Sequence, residues 1–446
     1  MTGKRSLILL YSLGVCSLFA GELLAQDGGT IDSGATAWML ASCALVLLMT
    51  PGLALFYGGM VRTKNVLGTI MHSLFCMAII SIQWVVIGYS IAFGPSNGGF
   101  FGGLDYAFLN GVAWDAARDG ESIPHLVFMT FQMMFAIITP ALITGAFAER
   151  VRFGPYVVFT LLWATLVYDP IAHWVWGGGI LSGSEHSWLK MFGTGALDFA
   201  GGTVVHISSG VSALVLVLMI GKRRGYPDQP VLPNNLVFTV LGAGILWFGW
   251  FGFNGGSGLD SNGLAGLAFT VTHLCAASGA LSWAVVEWVH RGKVSVLGVA
   301  TGLIAGLVCI TPASGYVLPM PALVMGLIVG PICYYFVAIL KGKLGYDDSL
   351  DAFGVHGVGG TVGALLTGLL FDYGVAGLAE SGDDAVSRGS QFGAQAVAVL
   401  VTWVYAGGVT AILVVIIDKT MGFRISEEDE ATGLDVSQHD ETGYNM

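Results

Sequence analysis

The sequence predicts an all-α polytopic membrane protein: eleven transmembrane helices behind an N-terminal signal peptide, arranged as an inverted 5+5 repeat plus one helix. Three observations predict this. Of 446 residues, 54% are hydrophobic and only 11% charged, with a mean hydropathy of +0.75, a balance that soluble chains of this length do not show. Apolar runs of about 20 residues, long enough to cross a hydrocarbon core, recur along nearly the whole chain. Basic residues gather after every second run, as they do when alternate loops face the cytoplasm.

Residues 1–25 read as a secretory signal, with Lys4 and Arg5 ahead of the apolar run 7–19 and Ala25 as a cleavage position. Leu23 is larger than the small residue usual two before a cleavage site, so an uncleaved extra helix is the alternative reading. Spans one to five of the first repeat (34–221) follow at 34–59, 66–93, 124–148, 153–176 and 199–221. Spans six to ten of the second repeat (233–374) follow at 233–256, 263–289, 295–315, 319–340 and 352–374, and the last helix is 391–417.

The odd-numbered spans are followed by Arg62 and Lys64; Arg150 and Arg152; Lys222, Arg223 and Arg224; Arg291 and Lys293; Lys341 and Lys343; and Lys419 and Arg424. Only Arg118, Lys190 and Arg388 follow even ones. The expected topology is therefore a multi-pass protein of the cell (inner) membrane. The mature N-terminus lies outside and the tail 419–446 is cytoplasmic. The net charge of −11 lies largely in loops and this acidic tail, and implies no nucleic-acid partner. Six cysteines lie singly in apolar segments without CxxC spacing, which reads as small buried hydrophobes rather than metal ligands or disulfides.

A five-helix half ends on the face opposite its start, so a second such half enters inverted, as in many transporters. "DFAGGTVVHISSG" (198–210) and "DAFGVHGVGGTVG" (351–363) fall in spans five and ten, the last helix of each half. His206 lies eight residues beyond Asp198, about 12 Å deeper, and His356 lies about 7–8 Å beyond Asp351, approaching from the other face. The two rings are expected to meet near mid-membrane.

An ionisable residue within a span is costly and faces protein or a cavity. Two histidines at matching depth point to function, because a neutral imidazole both donates and accepts a proton. Hydrogen bonding between helices is the bland alternative. The many glycines let helices pack closely and leave a narrow lumen rather than a wide pore. Most of the Trp residues read as interfacial anchors, but Trp176 presents a ring face suited to a cation, and Ser257 adds a hydroxyl acceptor. Asp198 reads as a buried anchor that orients backbone and raises negative potential, with direct ligation as the alternative.

The motifs "PGLALFYGGMVRTKN" (51–65), "FQMMFAIITPALITGAFAER" (131–150), "HWVWGGG", "DFAGGTVVHISSG", "WFGFNGGS", "DAFGVHGVGGTVG" and the tail "EEDEATGLDVSQHDETGY" together resemble the ammonium transporter (Amt/Mep/Rhesus) family, bacterial type. The resemblance covers essentially everything after the signal. It implies a homotrimer with one conduction path per subunit, no cofactor and no enzymatic activity. By motif, Trp176, Phe135 and Ser257 resemble an outer ammonium recruitment site, with Asp198 the acidic residue near it. Phe135 and Phe253 resemble a stacked phenyl gate, and His206 and His356 the twin pore histidines. The tail resembles the segment that engages a cytosolic PII-type signalling protein. Four departures stand out. The loop 182–196 is longer than usual and bears on the outer rim, Asp169 is an unusual charge, Gly255 stands where alanine is frequent, and "ETGY" replaces the commoner "E-x-A-Y".

These residues imply that ammonium is recruited as the cation, loses its proton near the gate and passes as ammonia, with a possible proton relay through both imidazoles. K⁺ has no proton to lose and is rejected. The alternatives are an ammonium sensor (a transceptor), a Rhesus-like neutral gas channel, and a membrane cytochrome using the histidines as haem ligands.

Overall fold

Asp32 starts the first membrane-length helix: its carboxylate accepts the Ala35 amide at 2.7 Å, a donor the first helical turn leaves free. The computed structural model describes residues 30–229 and 231–444. Its long helices are α1 Ser33–Met60, α2 Thr63–Phe93, α3 His125–Phe147, α4 Phe153–Trp176, α5 Gly202–Ile220, α6 Leu236–Gly258, α7 Gly263–Arg291, α8 Val296–Ile310, α9 Pro319–Leu344, α10 Phe353–Leu370 and α11 Arg388–Met421. Among the described residues ten of these are long and apolar enough to cross a membrane, and α8 is a shorter apolar helix. The expected signal at 1–25 lies outside the described residues.

The expected span 295–315 is thus a 15-residue helix, about 22 Å long, followed by buried irregular chain. Pro312 explains the early stop: Thr311 still has helical backbone angles, but the proline ring nitrogen has no N–H to donate to the next carbonyl of the helix. The freed backbone is used instead: Pro312 O accepts the Phe199 amide at 3.1 Å, and Tyr316 O accepts that of Asp372 at 2.8 Å. The five described cysteines are all free and buried, and Cys16 lies outside the described residues.

Small residues decide which helices approach. α1 lies along α6, and α7 packs on α8 and α9, the contacts running through glycines whose added Cβ would strike the neighbouring backbone. The crossing that matters most joins α5 to α10. A Cβ on Gly210 would land on the backbone of Gly357, and one on Gly360 would come within 3.0 Å of the His206 Cβ. Only glycine lets these two helices cross so closely, and the crossing sits at the two histidines.

At the end of the bundle that carries the tail, here the tail face, charges from distant loops converge. Arg150 and Arg223 both bind Asp347, at 2.6 and 2.7 Å, while Arg223 and Arg62 reach Glu149 at 3.3 and 2.8 Å. Burial pushes both carboxyls up, but the guanidinium partners outweigh it and hold Glu149 and Asp347 below the usual carboxylate range. The tail folds back as α12 Glu427–Thr432 and α13 Leu434–His439. Glu430 binds Arg424 at 2.9 Å, and Asp435 accepts the Gly68 amide at 2.8 Å, so the tail caps the start of α2. Tyr444, of the departing "ETGY", donates to Asn234 Oδ1 at 2.9 Å.

Candidate functional site

Two aspartates set the positions of the two histidines. Asp198 precedes α5, and its carboxylate accepts four successive backbone amides: Gly201 at 2.9 Å, Gly202 at 2.6 Å, Thr203 at 2.8 Å and Val204 at 3.1 Å. Gly201 supplies the left-handed conformation, φ 109°, that turns the chain into this helix. Burial pushes the Asp198 carboxyl above its usual range, against the pull of these amides. In α10 the corresponding cap is Asp348, which accepts the amides of Ala352 at 3.0 Å and Phe353 at 2.8 Å.

This corrects the expectation that Asp351 matches Asp198. Asp351 instead takes a left-handed φ of 62° and forms an ion pair with Lys341. With Asp348 as the cap, each histidine lies eight residues beyond its aspartate. Both histidines then fall in a π-helical opening turn, Gly202–Ile207 and Phe353–Gly357, a widened geometry frequent at functional sites.

The rings meet. His356 Nδ1 lies 3.2 Å from His206 Nδ1, with ring centroids 5.2 Å apart and planes 22° from parallel. One nitrogen donates and the other accepts, so a single proton is shared between two neutral rings. His206 also stacks on Trp250 at 5.5 Å and Phe253 at 6.0 Å, and its Nε2 has no protein partner. A void of about 10 Å³ beside the pair is walled by Val205, Trp250, Phe253 and other apolar side chains, room for roughly one water-sized molecule. Nearer the tail face a second void, about 30 Å³, touches His356, Tyr57, Thr301 and Asp351.

On the opposite face a cavity of about 300 Å³ opens to the surface and contains Trp176, Phe135 and Ser257 among its walls. Phe135 is one of its walls and packs on Phe253, which walls the void beside the histidines; their ring centroids are 4.3 Å apart and both rings are fully buried. Trp176 stands edge-on to Phe135 at 6.0 Å and donates its indole N–H to Asp198 O at 2.8 Å. Ser257 donates its hydroxyl to Phe253 O at 2.8 Å, leaving its own lone pairs free to accept. Asp198 is not among the cavity walls. Its oxygens face the α5 amides.

Three features escaped sequence reasoning. Gln132 lines the cavity with a buried, unpartnered Oε1; its spacing of three from Phe135 in "FQMMF" was the available signal, since i and i+3 share a helix face. Arg118 and Glu121 also line the cavity, and burial pushes the Glu121 carboxyl up against the pull of Arg118. The loop 182–196, expected to bear on the rim, supplies none of the cavity's lining residues; it is pinned to α11 by Gln391, which donates to Gly195 O at 3.0 Å. Asp169 is fully buried and accepts from Gln83 Nε2 at 2.7 Å, a contact between α4 and α2 away from the histidines. Among the described residues no group of three or more metal-ligating side chains converges.

The profile of the family described as "Ammonium Transporter Family" matches residues 37–444. The chain is 49% identical to the ammonium transporter of Bacillus subtilis over 93% of its own length and 99% of that protein's. It is 44% identical to the ammonium transporter Amt1 of Archaeoglobus fulgidus, over 93% and 100% of the two chains. Among solved structures, Candida albicans Mep2 superposes with a TM-score of 0.80 at 36% identity, covering 90% of this chain and 88% of that one. A protein described as a "Sensor Amt Protein" superposes at 0.82 with 31% identity, covering 91% and 98%.

Proposed function

This chain belongs to the ammonium transporter family and transports ammonium across a membrane, and from that premise we propose how its residues do so. The cavity at Trp176, Phe135 and Ser257 recruits NH4⁺: the aromatic faces attract the charge, worth roughly 0.5–2 kcal/mol, and the Ser257 oxygen accepts an N–H. Asp198 acts through the backbone, holding the first turn of α5 and the Trp176 indole in place. The cation does not pass the phenyl pair intact, because carrying a charge through an apolar span costs about 3 kcal/mol or more. NH4⁺ separates into NH3 and H⁺ near Phe135 and Phe253. NH3 is small enough for the narrow lumen.

The proton travels on the rings. It binds the free Nε2 of His206, the Nδ1 proton of His206 crosses to His356 Nδ1, and His356 releases its Nε2 proton toward the opposite side. Charge is conserved at each step, and one passage leaves both tautomers inverted, so a second passage requires that both first be restored without the proton returning through the same contact. One observation carries this reading: the 3.2 Å contact between two imidazole nitrogens, beside one void of about 10 Å³ and with His356 reaching a second of about 30 Å³.

The remaining assignments are of the same kind. The tail face is cytoplasmic, supported by its basic loops. The two five-helix halves are an inverted repeat, supported by the equal Asp-to-His spacing and by the packing of α5 on α10. Residues 1–25 are a signal peptide. The protein acts in the cell (inner) membrane as a homotrimer, and its acidic tail docks a PII-type protein. A sensing role is the second reading, favoured by the likeness to the sensor-described neighbour.

The test is current from purified protein in liposomes on pulses of ammonium, methylammonium and K⁺. With His206→Leu and His356→Leu together, ammonium-evoked current is expected to vanish while the protein stays folded by thermal melting. Ammonium-selective current in that folded double variant sinks the relay.

A further inference from the structure

The rim of the recruiting cavity carries a pair of charges, Arg118 and Glu121, besides the Trp176, Phe135 and Ser257 that recruit the cation. Residues 117–124 form a tight hairpin: Ala117 pairs with Pro124, and Glu121 N donates to Arg118 O at 2.9 Å across a turn in which Gly120 takes φ 81°. The hairpin leads directly into α3, which carries Gln132 and Phe135, and Asp32 N donates to Ser122 O at 2.8 Å, tying it to the start of α1. So held, the Arg118 guanidinium lies 4.1 Å from the centroid of the Phe128 ring, and its Nη1 lies 3.6 Å from Glu121 Oε1. Both side chains are about three-quarters buried, at 26% and 21% exposure, and both line the same cavity as Trp176 and Ser257.

A cavity suited to a cation thus already holds one, seated on an aromatic face, with a carboxylate at its side. Stability does not explain the pair. At 3.6 Å, not bidentate and partly wet, such a pair contributes little to folding. A carboxylate in an aromatic-walled cleft does focus field and raise the local concentration of cations. The unpartnered, buried Gln132 Oε1 in the same walls offers an uncommitted acceptor for an N–H donor.

We propose that the Arg118–Glu121 pair sets the cation affinity of this mouth. Glu121 draws the incoming cation, while Arg118 positions that carboxylate and limits the net negative charge. The inference rests on the reading of this cavity as the recruitment site. It adds to that reading a charge setting separate from the aromatic contacts.

The experiment measures the concentration dependence of ammonium and methylammonium currents in proteoliposomes. Glu121→Gln is expected to raise KM about three- to tenfold and Arg118→Gln to lower it by a similar factor, the size of one unit charge across a partly solvated cleft. Maximal current stays within about twofold, and both shifts shrink at high NaCl, where screening shortens to about 3 Å near 1 M. Arg118→Lys keeps the charge and retains the wild-type KM. If both neutralising variants move KM the same way, or lower maximal current with KM unchanged, the pair is only a scaffold for the hairpin and the proposal falls. Trp176→Leu runs alongside: if it shifts KM while Arg118 and Glu121 variants do not, this inference alone fails. If it too leaves KM unchanged, the recruitment reading fails and takes the inference with it.

Discussion

Replacing Asp198 by Asn separates two roles for a buried carboxylate. Its two oxygens accept four amides at the start of α5, whereas a carboxamide keeps one acceptor oxygen and turns an NH2 toward the other two donors. A hydrogen bond to a charged group contributes about 1.5–3 kcal/mol, so two lost bonds destabilise this turn by about 3–6 kcal/mol. Loss of negative charge at a helix N-terminus adds about 0.3–2 kcal/mol. The sum is a large share of the roughly 5–15 kcal/mol by which folded domains are stable.

The assay is amide hydrogen exchange of detergent-solubilised Asp198→Asn, read by mass spectrometry over residues 199–210, beside thermal melting and ammonium flux. Loss of about 3 kcal/mol or more means exchange at least about a hundredfold faster at Gly201 to Val204. Flux is expected to fall, because His206 sits on the loosened turn. Unchanged protection at those amides refutes the capping argument. Flux lost with protection intact assigns the carboxylate to the cation itself.

Two further outcomes test the frame around the site. Gly210→Ala drives a methyl group into the Gly357 backbone and is expected to lower the melting temperature sharply or prevent folding, whereas Gly244→Ala, with nothing within 4 Å of its Cβ, stabilises by up to about 1 kcal/mol; equal melting temperatures for the two variants contradict the close crossing of α5 and α10. Glu149, held by Arg62 and Arg223 below its ordinary value of 4.5, contributes stability that is complete above that pH and lost as pH falls through the folded-state value. Glu149→Gln is therefore expected to cost about 3–5 kcal/mol at neutral pH, where a buried ion pair is broken, and to converge on the wild-type protein in acid. A difference in melting temperature that does not narrow on acidification counts against the pairing.

The parts of this molecule readable along the chain are those set by local sums. Ten of the eleven expected spans became membrane-length helices, because apolar length and the placement of Lys and Arg are properties of a segment and its flanks. Pro312 is a local signal too: it lies inside the expected span 295–315, and the helix ends at Ile310. Two histidines near the "GGTV" stretches are visible as a pair, but the aspartate that opens the second stretch, Asp351, is not the cap; Asp348, eight residues before His356 as Asp198 is before His206, holds that place.

Partner choice was the part that the chain order concealed. Asp347 binds Arg150 and Arg223, residues 197 and 124 positions away. Arg118 and Gln132 share a cavity with Trp176 and Ser257, and the long loop 182–196 turns to α11 instead of the rim. Burial of apolar surface is non-directional and follows from composition. A hydrogen bond, charged or neutral, is directional and needs its donor and acceptor about 3 Å apart, so which donor meets which carboxylate is settled when the helices have packed, and not before.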